Sequence, residues 1–423
     1  MPVKFMCCSQ LARAVLLLLS ATDTMSYVVA QDVKPVSAAV SQASQPPSAH
    51  PIPNVASGVV LDPEAVSLAR IQTWEPIDLS GFRDSIHHWQ MKEGRDRADE
   101  RLRPNQIVHI AENILRFQND DGGWPTNLDW LTVISDEEVR EIRRSRAGRS
   151  TFDNRNVYPQ IEYLAQVARS TGLQHYQHSA VRALNYILRE QRASGGWCGK
   201  DVDAITYNDD VMTGIMNLLL DVRQDAPQFD FLSQTQRTEL MHSLLRAIDV
   251  TLRCQIVIAG EKTAWCQQHD HITLQPIKAR TYELPSITAQ ESAGIVRFLM
   301  QLEDPPENVV QAVESAVKWF ESSCINGLRI ETVSIDPVRF KNFTATTDRR
   351  AIADPEAPSL WARFYELDSG RPFFCNRDGI KVYQLSEVQL ERRVGYGWYG
   401  RWPARLLDRD YAKWKSALSI GRQ

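Results

Sequence analysis

Four stretches of the chain gather polar side chains that a packed core would not want. Thr151-Phe152-Asp153-Asn154 and Ile205-Thr206-Tyr207-Asn208-Asp209-Asp210 each stand directly before a helical pattern. Taken singly, an Asp or Asn at a helix start is most often an N-cap, its oxygen accepting from free backbone N–H groups. Two Asp-bearing starts facing one cleft would instead offer oxygen donors to a hard cation such as calcium. A third stretch packs Gln267, Gln268, His269, Asp270, Arg280, Tyr282 and Glu283 ahead of a long helical pattern. His269 and His271, at i and i+2 on a loop, read as hydrogen-bonding residues before metal ligands. The fourth lies toward the C-terminus and holds Arg363, Arg377, Arg392 and Arg393 among Trp361, Phe364, Tyr365 and Phe374. Arginine captures carboxylates through two parallel hydrogen bonds, and aromatic rings give platforms for sugar faces. The bland alternative is local ion pairing, Arg363 with Glu366 and Arg377 with Asp378.

The elements that would carry these loops are helical. Apolar residues recur at helix spacing in Tyr158–Ser170, His175–Gln191, Val211–Val222, Gln236–Leu252, Ser286–Leu302 and Asn308–Glu321. Pro159 suits a first helical turn. Strand patterns are scarce, the best being Ile325–Ile335 and Gly379–Tyr383. An internal echo points the same way: Gln118 leads to Gly122-Gly123-Trp124, and Gln191, 73 residues later, leads at equal spacing to Gly195-Gly196-Trp197. Paired glycines end a helix and a tryptophan plugs the seam to the next, so the echo implies stacked helical hairpins. The expected architecture is all-α: a toroid or partial toroid of helical hairpins with a few short strands, and the chemistry on loops at one end.

Residues 1–30 read as a secretory signal: Lys4 and Arg13 ahead of the apolar run Ala14–Ser20, with Val28 and Ala30 as small residues before a cut at Gln31. Residues 31–59, rich in Pro, Ser and Ala, are expected to be a linker, leaving 60–423 as the catalytic domain. A net charge of −4 gives nothing global to draw nucleic acid or anionic membrane, so an acidic ligand needs a local basic site. After signal removal five cysteines remain, room for one or two disulfides whose pairing spacing does not decide.

In order along the chain, GGWP at 122–125, TFDN at 151–154, SGGW at 194–197, ITYND at 205–209, AWCQQHD at 264–270, ARTYELPSITAQES at 279–292, WARFYE at 361–366, FFCNRDG at 373–379 and ERRVGYGWYG at 391–400 resemble polysaccharide lyase family 10, the pectate lyases. The resemblance spans about residues 74–402. It implies an (α/α) toroid that cleaves polygalacturonate by calcium-assisted β-elimination, secreted or periplasmic, acting as a monomer without nucleic-acid or membrane partners. It places Asp153 and Asp209 at the calcium, Arg280 as the base, and Asn154, Arg363, Arg377 and Arg392 on the substrate. The chain departs from the family pattern at Thr126, where lysine is usual, at Arg155, Asn156 and Val157, at Cys198-Gly199, and at Asp210, where glycine is usual. Three rivals stay open: a noncatalytic pectin-binding relative, a terpenoid-cyclase-like enzyme sharing Gln-x3-Gly-x-Trp but without a DxDD motif here, and a carbohydrate hydrolase using Asp153 and Asp209 as its carboxylate pair.

Overall fold

The computed structural model describes residues 63–93, 100–146, 150–341 and 343–421. The expected leader and linker, with Cys7 and Cys8, lie outside the described residues. Helices α1 (Pro63–Ile71), α2 (Arg83–Glu93), α3 (Ile107–Arg116) and α4 (Asp136–Arg146) precede the body of the fold. They are followed by α5 (Tyr158–Thr171), α6 (Gln174–Glu190), α7 (Val211–Arg223), α8 (Gln234–Arg253), α9 (Ala289–Leu299) and α10 (Glu307–Ser323), and then by α11 (Leu390–Gly395) and α12 (Tyr411–Gly421). Each of the six helices read from periodicity is present within a few residues of its expected ends. No described helix is long and apolar enough to cross a membrane.

Successive helices pair as antiparallel hairpins, α5 with α6, α7 with α8 and α9 with α10. The first members also pack on one another in series, α3 on α5 on α7 on α9, and so do the second members, α6 on α8 on α10. The result is two curved layers of helices. Sequence explains which layer is enclosed: α7 is buried almost all round, from Val211 to Val222, whereas α8 buries one face through Leu240, Leu244, Ala247 and Val250. Close contact in the inner layer depends on Gly214, where a Cβ would stand 2.2 Å from the Tyr158 ring.

The Gly-Gly-Trp echo is a repeated joint. Gln118 Nε2 donates to the carbonyls of Gly122 and Ser179, and Gln191 Nε2 donates to those of Gly195 and Ser243. The indoles of Trp124 and Trp197 donate to the carbonyls of Ile114 and Ile187, each ten residues upstream. A third copy went unread in the sequence. Gln255 Nε2 donates to the carbonyls of Thr263 and Ala312, and Trp265 Nε1 to that of Thr251. A small hairpin, Val257–Ile258 against Glu261–Lys262, is inserted between Gln255 and Thr263 and hides the motif.

Short ladders fasten the loops at the ends of the helices. Ile205–Thr206 pairs with Gln268–His269, and Ile287–Thr288 pairs with Phe364–Tyr365, which continues to Pro372–Cys375 and Lys381–Val382. The strand expected at 325–335 is Leu328–Arg339, paired with an unanticipated Thr344–Ala353; its register shifts between Ser334 and Val338, where Pro337 has no N–H to give a ladder. The helix expected from Ser286 starts at Ala289 because residues 287–288 are drawn into a ladder. Cys198, Cys254, Cys266, Cys324 and Cys375 are all free thiols, so the room for one or two disulfides is not used among the described residues.

Candidate functional site

The Asp153 and Asp209 loops are built from strained backbone. Asn154, Arg155 and Val157 have φ of 54°, 53° and 82°, and Asp209 and Asp210 have 52° and 55°. Residues with a Cβ visit this region at a cost, and clusters of them belong to sites that the surroundings hold in place. Asn156 is buried and supplies part of that hold, donating to the carbonyls of Trp124 and Thr151 while accepting from Gln160. Thr126 donates to the Asp153 carbonyl and Asn154 to the Asn127 side chain. The second loop is anchored by Tyr207 N donating to Gln267 O at 2.8 Å. No side-chain cap bond forms at the start of α5 or α7, so Asp153 and Asp209 are not N-caps.

Both carboxylates are partly buried. Burial, with the charge of Asp201 adding to it, lifts Asp153 to about 6. Burial, with the charge of Asp153 adding to it, lifts Asp209 to about 7. Arg280 and Arg363 act the other way on Asp209, which places all of these groups in one neighbourhood. Asn208 Nδ2 donates to Asp209 at 2.9 Å, but neither Asp153 nor Asp209 has an ion pair among the described residues. Gly199 lies against Asp153: a Cβ there would stand 3.1 Å from its Oδ1.

Arg280, about a third exposed, is held by Glu283, its Nε donating to Oε2 at 2.9 Å, and Asp201 lies 3.6 Å away. Burial works against its charge, but the Glu283 carboxylate outweighs burial and keeps the guanidinium protonated beyond its ordinary range. Tyr282 is a shared platform, with the guanidinium carbons of Arg280, Arg377 and Arg392 at 5.3, 5.4 and 4.9 Å from its ring centre.

The other arginines have partners that the sequence did not suggest. Arg363 is buried and pairs with Glu291 at 2.5 Å and with Asn208, not with Glu366. Arg377 is half exposed and pairs with Glu391 at 2.8 Å, not with Asp378. Arg392 is buried against the same Glu391. Gln267 Nε2 reaches Asn208, Glu291 and Tyr396, and Tyr396 OH donates to Glu283. A continuous polar network therefore links the Asp209 loop to Arg280. His269 accepts from Cys266 N and contacts the Leu274 carbonyl, and burial lowers it to about 4, so it is a neutral structural residue as expected.

A cleft of about 1090 Å³ opens beside Asp209 and is lined by Asp84, His87, Arg155, Asp210 and Glu291 among others. Helix α2 forms one wall. Sequence reasoning had no signal for α2, nor for Lys200 and Asp201, which follow the second Gly-Gly-Trp and act on Asp153.

A family model described as pectic acid lyase matches residues 118–407. The chain belongs to that family. It is a polysaccharide lyase, and its two-layered helical body is of the (α/α)-toroid type. Among solved structures it is similar to a family 10 polysaccharide lyase from Cellvibrio cellulosa, with 27% identity and a TM-score of 0.60, over 79% of this chain and 98% of that one. An aspartate-to-alanine mutant of a family 10 polysaccharide lyase from the same organism, in complex with trigalacturonic acid, matches with 26% identity and a TM-score of 0.59, over the same shares. No curated protein sequence matches it.

Proposed function

We propose that the chain is an exported pectate lyase that cleaves α-1,4-polygalacturonate by calcium-assisted β-elimination, giving 4,5-unsaturated oligogalacturonates. The observation that carries this reading is the convergence of Asp153, Asp209 and Arg280 in one partly buried polar neighbourhood. The donor set fits calcium: two partly buried carboxylates are hard oxygen ligands, and the charge of one burdens the other. Among the described residues no group of three or more His, Cys, Asp or Glu is placed to hold a metal. The protein shell is thus a partial one, suited to an ion that also takes carboxylate oxygens from the substrate. When bound, calcium would stabilise negative charge developing on the C6 carboxylate as the C5 proton leaves.

The residues of the chain do the rest. Asn154 and the exposed guanidinium of Arg377 hold the sugar chain, Arg377 by its charge. Arg363 and Arg392 are buried and act from behind the surface: Arg363 fixes Glu291 and Asn208 beneath the Asp209 loop, and Arg392 fixes Glu391 beneath Arg377. Arg280 stands as the proton acceptor at C5. It starts as a cation in this structure, so it must first give up a proton of its own to solvent, a loss that positive charge entering the site would favour by offsetting Glu283, before it takes the C5 proton. Water protonates the leaving O4. The enzyme acts as a monomer in the periplasm or outside the cell, and residues 60–423 form the catalytic domain.

The test is ultraviolet absorbance of polygalacturonate incubated with the mature chain, with calcium, with chelator, and with Arg280→Ala. A calcium-dependent rise that vanishes in the variant is expected. Retained binding of oligogalacturonate with no rise would make the chain a noncatalytic pectin-binding relative.

A further inference from the structure

The two carboxylate-bearing loops share a conformation. Each places two successive residues with a Cβ in the left-handed region, Asn154 and Arg155 in one, Asp209 and Asp210 in the other. The second member of each pair reaches across to the other loop: Arg155 Nη2 lies 2.7 Å from Asp210 Oδ2. Arg155 follows Asp153 by two residues and Asp210 is next to Asp209. The other oxygen of Asp210 accepts from Thr213 Oγ1 at 3.3 Å, in the first turn of buried α7. The Asp210 end of the bridge is therefore seated on the inner helical layer, and Arg155 brings the first loop to it. Both side chains are nearly half exposed, so the pair adds little to global stability. Its placement suits a local task, because the two carboxylates beside it repel.

We propose that Arg155 and Asp210 are a positioning pair. Their ion pair straps the 151–157 loop to the 205–210 loop and sets the separation of Asp153 and Asp209, so that a divalent-cation site exists before substrate arrives. This rests on the lyase reading and its calcium site. Both residues stand where the sequence departs from the pattern it resembles, at positions 155 and 210, and the structure joins the two departures as one device.

The strap and simple charge make opposite demands on one variant. Arg155 is a cation near a cation site, so by charge alone Arg155→Ala would tighten calcium binding. If Arg155 holds the loops, Arg155→Ala weakens it. The experiment is isothermal titration of calcium chloride into the mature chain carrying Arg280→Ala, which leaves substrate uncleaved, in saturating trigalacturonate. Arg155→Ala on that background is expected to weaken calcium roughly tenfold, as loss of a residue supporting a ligand does. Asp210→Asn, which tolerates the left-handed backbone, should weaken it similarly. The double variant should be no weaker than either single one, since one interaction is lost once. Arg155→Gln removes the same ion pair and takes the place of the alanine variant should that one melt without cooperativity. Calcium bound as tightly as by the parent, or more tightly, in Arg155→Ala or Arg155→Gln overturns the strap and leaves the lyase reading standing. A parent that binds no calcium overturns the calcium site and the strap with it.

Discussion

The two walls of the site handle charge in opposite ways. On the arginine wall every guanidinium meets a glutamate: Arg280 with Glu283, Arg363 with Glu291, Arg377 and Arg392 with Glu391. On the aspartate wall Asp153 and Asp209 are partly buried, repelling, and without an ion pair among the described residues. The first wall is self-sufficient and holds its geometry alone. The second stores electrostatic free energy that a cation bound there would release. A polyanionic substrate with a divalent ion needs both: fixed positive groups for the carboxylates and a negative pair for the ion.

The sharpest way to break this comparison is at Arg280, the one arginine assigned to the chemistry. Arg280→Ala is expected to lower the rate of unsaturated-product formation by roughly 10²–10⁴-fold, while trigalacturonate binding, measured by calorimetry, persists. A mutant retaining more than a tenth of the wild-type rate would remove Arg280 from proton transfer. Next is the self-sufficiency of the arginine wall. Glu291→Ala leaves the buried Arg363 guanidinium unpaired and should destabilise the fold by roughly 3–5 kcal/mol in denaturant unfolding. A loss below ~1 kcal/mol would mean that Arg363 finds water or another partner, and that the wall is less closed than its contacts imply.

Smaller effects test the aspartate wall. Asp209→Asn should raise the calcium concentration for half-maximal activity by roughly tenfold, because affinity follows ligand charge. Unchanged calcium dependence would move the ion elsewhere. The same variant gives the smallest and most diagnostic signal, the pH dependence of melting in chelator. Asp209 is lifted to about 7, above its unfolded value, so the folded state binds the proton more tightly. Its contribution is therefore favourable at low pH and is lost as pH rises from about 4 to about 7. Glu391 runs the other way. Burial opposes its charge, but Arg377 and Arg392 hold it at about 2, so its stabilisation is present above the ordinary carboxylate range and is lost as pH falls toward 2. In chelator, Asp209→Asn should flatten the limb between pH 4 and 7 and leave the acid limb in place, and Glu391→Gln should do the reverse. Identical profiles for the two variants would erase the distinction between the walls.

Much of the scaffold was legible because helix spacing and the Gln-to-Trp joint are local patterns. The joint repeats at 118–124 and 191–197 with the same donors and carbonyls, as equal spacing implied. The third copy was not legible, because an inserted hairpin stretches it from Gln255 to Trp265. The sequence left room for one or two disulfides without deciding a pairing, and the five described cysteines are free thiols. The distant partners of Arg363 and Arg377 were not legible either. Neighbours at i+1 and i+3 were the only partners a sequence could offer, whereas Glu291 stands 72 residues from Arg363 and Glu391 stands 14 from Arg377.

Taken by itself, the amino-acid order determined the helical hairpins, the positions of the polar loops between them, and the residue types brought to those loops. Those follow from periodicity, glycine pairs and composition, which act within a few turns of chain. Tertiary structure alone decided that Asp153 and Asp209 are left to repel, that Arg363 meets Glu291, and that Arg155 meets Asp210. Each of these is a matter of burial and of distance between residues far apart in sequence, and Coulomb energy depends on both.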